Sequence, residues 1–147
     1  MIANIRIRDN GYSNFLCELD LMCFSEEEVR ERMRERGIRD DTFFVCGFSD
    51  WGVDTEMSLA LAYGLKRAIQ ELYDGDESIV IHLLKNHVDV RYVLAHYYRF
   101  ISKDDEDKVA RYLLENTNIA QFMITKAIES DVLLWTEKGY YFSDSEV

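Results

Sequence analysis

A chain of 147 residues that is 48% hydrophobic and 31% charged can bury a core, which excludes a disordered acidic tail. Twenty-eight acids against seventeen bases give a net charge of −11, which disfavours nucleic acid and anionic membranes as partners and favours basic ones. With no proline and only seven glycines, no Pro-rich linker divides the chain, and any module boundary is short.

Ile2–Arg8 alternates apolar and polar residues, with Ile5 and Ile7 against Arg6 and Arg8, and is predicted to be a strand. Asp9-Asn10-Gly11 carries turn chemistry. Phe15–Phe24 is predicted as a second strand, antiparallel to the first, with Phe15, Cys17, Leu19, Leu21 and Cys23 on one face. Ser25 and Glu28 form an S-x-x-E capping box that opens a helix. Val29 and Met33 share a face of that helix, and Gly37 stands where a left-handed cap belongs. Glu26–Arg30 and Glu28–Arg32 are spaced as i,i+4 ion pairs, so this helix surface is expected to neutralise itself. Thr42–Phe48, rich in Phe and Val, is a third strand.

Ser49–Thr55 is expected to be a loop whose Asp54 or Thr55 caps a helix over Glu56–Tyr73. Asp76 or Ser78 would cap a second helix near Ile79–Lys85. Val88–Tyr98 reads as a third, with Val90, Val93, Leu94 and Tyr97 inward. Arg99–Ser102 is a short predicted strand. Asp104–Asp107 leads into a helix that ends at Glu115, its first-turn acids favourable to the helix dipole. Ile119–Ile128 follows as a helix, and Val132–Thr136 with Tyr140–Phe142 as a hairpin around Lys138-Gly139.

The expected fold is therefore α+β: a small antiparallel sheet with helices, compact modules in series, a helical middle and a C-terminal aromatic hairpin. The modules are residues 1–53, 54–99 and 100–147, or one continuous domain. Cys17, Cys23 and Cys46 are an odd count without a CxxC pair, and read as buried free thiols of a reducing, cytoplasmic compartment. The opening MIANIRIRDN lacks the pattern of a signal peptide, and no apolar run approaches the roughly 20 residues that span a bilayer.

No catalytic constellation, metal site or cofactor site stands out. His82 and His87 lie on different faces of a helix, not at zinc-helix spacing, and His96 stands alone. The serines form no G-x-S-x-G elbow, and Asp104–Asp107 lacks the alternation and glycine of an EF-hand loop. Trp51 and Trp135 read as core or interface anchors, and Tyr63, Tyr73, Tyr92, Tyr97 and Tyr98 as core residues with hydroxyls at the rim.

The charge is uneven. Residues 37–77 carry a net −6 and residues 100–147 a net −5, separated by a stretch at +2. The candidate site residues are the acids without an evident local partner: Asp40, Asp41, Asp50, Asp54, Glu56, Asp74, Asp76, Glu77, Asp104, Asp105, Glu106 and Asp107. Many fall at turns or helix ends, where capping and solubility account for some. Duplex DNA presents about one charge per 1.7 Å of axis, so a comparable row of carboxylates stands in for phosphates in a basic groove.

Several segments resemble the ArdA-type antirestriction proteins. Ile5-Arg6-Ile7 followed by Gly11-Tyr12-Ser13-Asn14 is similar to that family's opening strand and turn, and Phe24-Ser25-Glu26-Glu27-Glu28-Val29 to its strand-to-acidic-helix junction. The Asp41–Asp54 stretch, the Asp107–Thr117 helix and the Asp131–Phe142 ending also resemble family segments. Where the family carries Gly-x-Trp in its second strand, this chain has Glu18-Leu19-Asp20. The resemblance implies an acidic homodimer of phage or mobile-element origin that mimics bent DNA in the bacterial cytoplasm. It implies binding to the DNA groove of a type I restriction–modification enzyme, without chemistry and without direct nucleic-acid or membrane binding. The alternatives are an inhibitor of a CRISPR effector or another nuclease, an adaptor or scaffold with an apolar interface at Arg91–Phe100, and a small hydrolase using Cys46 or Cys23.

Overall fold

The computed structural model describes residues 1–144. The chain divides into two compact units, Met1–Tyr98 and a second from Arg99 onward. The last three residues of the expected 100–147 module lie outside the described ones.

In the first unit, β1 (Ile2–Asp9), β2 (Tyr12–Asp20), β3 (Phe43–Phe48) and β4 (Val53–Met57) form an antiparallel sheet in the order β2-β1-β3-β4. Ala3 and Ile5 on β1 and Val45 on β3 are fully buried, as period-2 alternation with one covered face requires. The cover is helical: α1 (Glu26–Glu35), α2 (Leu59–Glu71), α3 (Ser78–Lys85) and α4 (Val90–Ala95). Val29 and Met33 of α1, Leu65 and Ile69 of α2, Val80 and Leu84 of α3, and Val90 and Val93 of α4 join the sheet in one core. The expected 53/54 boundary falls at the first residue of β4, and residues on both sides of it share that core.

Local chemistry sets the helix ends. The Glu28 N–H donates to Ser25 Oγ at 3.1 Å, and Gly37 closes α1 with φ +77° while the Ile38 N–H donates to the Met33 carbonyl. The turn between β2 and α1 is tied to α2. Lys66 Nζ donates to the carbonyls of Leu21 (2.6 Å) and Phe24 (3.3 Å), and the Tyr63 hydroxyl donates to the latter at 2.7 Å. Burial, with the nearby Glu26 and Glu28 charges, pushes the Tyr63 hydroxyl up to about 12.

The structure corrects several expectations, among them the second strand, which ends at Asp20 and not at Phe24, and Tyr92, which is exposed and not in the core. Residues 53–57 form β4 and not a loop running into a helix: Val53 and Met57 point inward while Asp54 and Glu56 point out, and Ser58 caps α2 through the Leu61 N–H. The register of β1 and β2 shifts at Leu16, so Cys17 pairs with Ile5 on the core side while Phe15, opposite Arg6, is 57% exposed. The third middle helix is shorter than Val88–Tyr98, because Asp89 caps it and it stops at Ala95; Tyr97 is exposed and stacks on Tyr73. Arg99–Ser102 forms no strand. Cys23 is exposed, while Cys17 and Cys46 are half-buried. Arg30 pairs with Glu26 at 3.8 Å, but the Arg32 guanidinium lies over the Phe24 ring and forms no ion pair with Glu28.

The second unit comprises α5 (Glu106–Asn116), α6 (Ile119–Glu129) and a hairpin of β5 (Leu133–Trp135) and β6 (Tyr140–Phe142). Trp135 and Tyr140 stack across the hairpin at 5.9 Å. None of its described residues is buried, and Leu114, Met123, Trp135 and Phe142 are each at least 64% exposed. No helix among the described residues is long and apolar enough to cross a membrane.

Candidate acidic interface

The twelve candidate carboxylates separate into two kinds. Four have cationic partners. Asp40 accepts from Arg34 at 2.9 Å, and that bond holds its carboxyl below the usual aspartate range. Asp41 lies 3.5 Å from Arg39, and Glu56 on β4 accepts from Arg8 on β1. Asp50 receives the Met1 ammonium and the Ile2 N–H, each at 2.8 Å. Burial works against its ionisation, but those two donors outweigh burial and hold its pKa down.

The other eight, Asp54, Asp74, Asp76, Glu77, Asp104, Asp105, Glu106 and Asp107, form no ion pair among the described residues, and all but Glu77 are exposed. Backbone geometry groups them. Asp74, Asp76 and Glu77 occupy the turn between α2 and α3, where Asp74 takes φ +56° beside Gly75 at +87°. Asp76 accepts from the Ser78 N–H at 2.9 Å, and Ser78 holds its carboxyl below the usual range. In the second unit, Asp104–Asp107 run into α5, and Asp105 caps that helix through the Lys108 N–H at 3.0 Å. Asp76 and Asp105 therefore also brace or start a helix.

One further carboxylate belongs with them. Asp89 caps α4 through the Arg91 N–H at 2.8 Å, forms no ion pair among the described residues, and lines a hollow of about 440 Å³ with Asp54, Glu56, His87 and Arg91. Its signal in the sequence is an N-cap residue directly before the apolar pair Val90 and Val93; reading the helix from Val88 hides it.

Three of the bases are held by neutral groups instead. Arg6 bonds to Ser13 through Oγ and the carbonyl oxygen, Arg32 covers Phe24, and Lys66 serves main-chain carbonyls. The Cys23 thiol donates to Asp20 at 3.5 Å, and that bond and the Asp20 charge raise its pKa, which opposes thiolate formation. Among the described residues, no group of three His, Cys, Asp or Glu side chains is placed to hold a metal ion. No protein-family model, curated protein or solved structure matches the chain.

Proposed function

We propose that the protein is a DNA-mimic inhibitor that occupies the DNA-binding groove of a host defence enzyme. The resemblance to ArdA-type proteins makes a type I restriction–modification enzyme the first target. What supports this reading is eight carboxylates without cationic partners among the described residues: four in the first unit, on β4 and at the α2–α3 turn, and four in the second, leading into α5. Carboxylates left unneutralised at turns are free to meet the lysines and arginines that ordinarily hold phosphates. The mechanism is competition and needs no bond-making step. An inhibitor of a CRISPR effector or another nuclease would use the same surface, and the choice of target decides between them.

Two copies would present twice the acidic surface, and the exposed apolar residues of the second unit offer a surface on which they could pair.

The deciding experiment is displacement of labelled recognition-site DNA from a purified type I restriction–modification enzyme. The protein is expected to displace DNA at about 50 mM salt and to lose at least tenfold in affinity by about 200 mM. Displacement that persists unchanged at high salt would point to an apolar adaptor surface instead. No displacement from that enzyme, with displacement from another nuclease, would reassign the target.

A further inference from the structure

β2 is the outermost strand of its sheet, so its outer edge pairs with no strand among the described residues. An open edge offers a row of main-chain donors and acceptors to an added strand. Beside this edge, β2 and α1 enclose a groove of about 370 Å³. Leu19, Phe24, Val29 and Met33 form its apolar part, and Arg32 and Arg36 stand among its walls.

The charge in the groove is unlike that of the rest of the chain. On α1, Arg30 pairs with Glu26 and Arg34 with Asp40, whereas Arg32 and Arg36 form no ion pair among the described residues. Two guanidiniums without an ion-pair partner among the described residues, Arg32 over the Phe24 ring and Arg36, therefore stand beside an apolar groove and an open strand edge. Glu18 and Glu35 also line it, but neither is bonded to these arginines.

We infer that this groove takes an extended acidic peptide segment of a partner protein. The segment adds to β2 as a further strand and sets an apolar side chain among Leu19, Phe24, Val29 and Met33. A carboxylate two residues along reaches Arg32 and Arg36. The groove shares no residue with the acidic set and is selective for the opposite charge.

The test uses three capped synthetic octapeptides titrated into the isotope-labelled full-length protein and followed by amide NMR. The first alternates Val and Thr, with a central Leu followed two positions on by Glu. The second carries Lys in place of Glu. The third has Pro between Leu and Glu, which removes a main-chain donor. The first is expected to saturate and to move amides within 15–20 and 29–36. The Lys peptide, or the protein variant Arg32→Gln/Arg36→Gln, is expected to weaken binding about tenfold, and the Pro peptide to abolish it.

Absence of saturation by about 1 mM, shifts elsewhere in the chain, or equal binding of the Lys or Pro peptide would overturn the inference. Shifts within 15–20 that grow with protein concentration alone would assign the edge to a second copy and overturn it as well. If the double variant fails to fold, the three peptides on the unaltered protein decide the question.

Discussion

Gly47 on β3 faces Val53 on β4 so closely that a Cβ on Gly47 would meet the Val53 carbonyl oxygen at 1.9 Å. Gly47 also takes φ +92°, at the point where the pairing register shifts between Cys46 and Phe48. Both the backbone conformation and the close approach demand glycine. Gly47→Ala is expected to destabilise the first unit by about 3 kcal/mol or more. Gly52, at φ +65°, has only Lys85 Cε at 3.9 Å near its would-be Cβ, so Gly52→Ala is expected to cost about 1–2 kcal/mol. Urea unfolding followed by the fluorescence of the buried Trp51 separates the two, and equal losses would contradict the steric account.

Asp50 joins the β3–β4 connection to the start of β1 through the Met1 ammonium and the Ile2 N–H. Asp50→Asn is expected to cost on the order of 1 kcal/mol. Asp40, Asp50 and Asp76 all have folded pKa values below the ordinary aspartate value. Their contribution is therefore complete above about pH 4 and is lost as pH falls through the depressed values. The denaturation midpoint of the unaltered protein is expected to drop below about pH 4, and that of Asp50→Asn to drop less steeply. Parallel curves for the two proteins would remove Asp50 from the acid transition.

Capping and charge can be separated at Asp105. Asparagine caps a helix about as well as aspartate, whereas alanine costs about 1 kcal/mol. Asp105→Asn is expected to keep α5 intact and Asp105→Ala to weaken it, as read by circular dichroism. Against the target enzyme the two should lose affinity alike, because both remove the same charge. Full inhibition by a variant with Asp74, Asp76, Asp104, Asp105 and Asp107 all changed to Asn would refute charge mimicry outright.

The two tryptophans report on different units: Trp51 is 4% exposed and Trp135 is 73% exposed. If the second unit pairs copies, raising the protein concentration is expected to shift Trp135 emission to the blue and to increase the sedimenting mass together. The Trp135→Phe variant keeps the mass change and loses the spectral one. Replacing Leu114 and Met123 by Asp places charge on exposed apolar positions of α5 and α6 and is expected to leave a monomer. A concentration-independent monomer before mutation would refute the pairing.

Much of the α+β fold was legible because its strongest signals are local. Ser25 and Gly37 bracket α1, and Ile5 shows the inward side of β1. β4 was not legible, because Val53, Thr55 and Met57 alternate over only five residues directly before a strong helical run. The face of Phe15 was misread because one extra residue at Leu16 inverts the alternation, and a period of two carries no warning of that. For the acidic surface, the crowding of carboxylates at turns was visible, but their partners were not. Asp50 meets Met1 across 49 positions and Glu56 meets Arg8 across 48, distances over which no spacing rule operates.

Arg6, Arg32 and Lys66 set their charged ends against a serine, a phenyl ring and main-chain carbonyls. Each keeps its positive charge but is in contact with no carboxylate, and the chain as a whole still carries a net −11. On chromatographic media this makes it behave as a polyanion itself. Heparin, which retains proteins that grip nucleic acid, would let it pass, and an anion exchanger would hold it until late in the gradient.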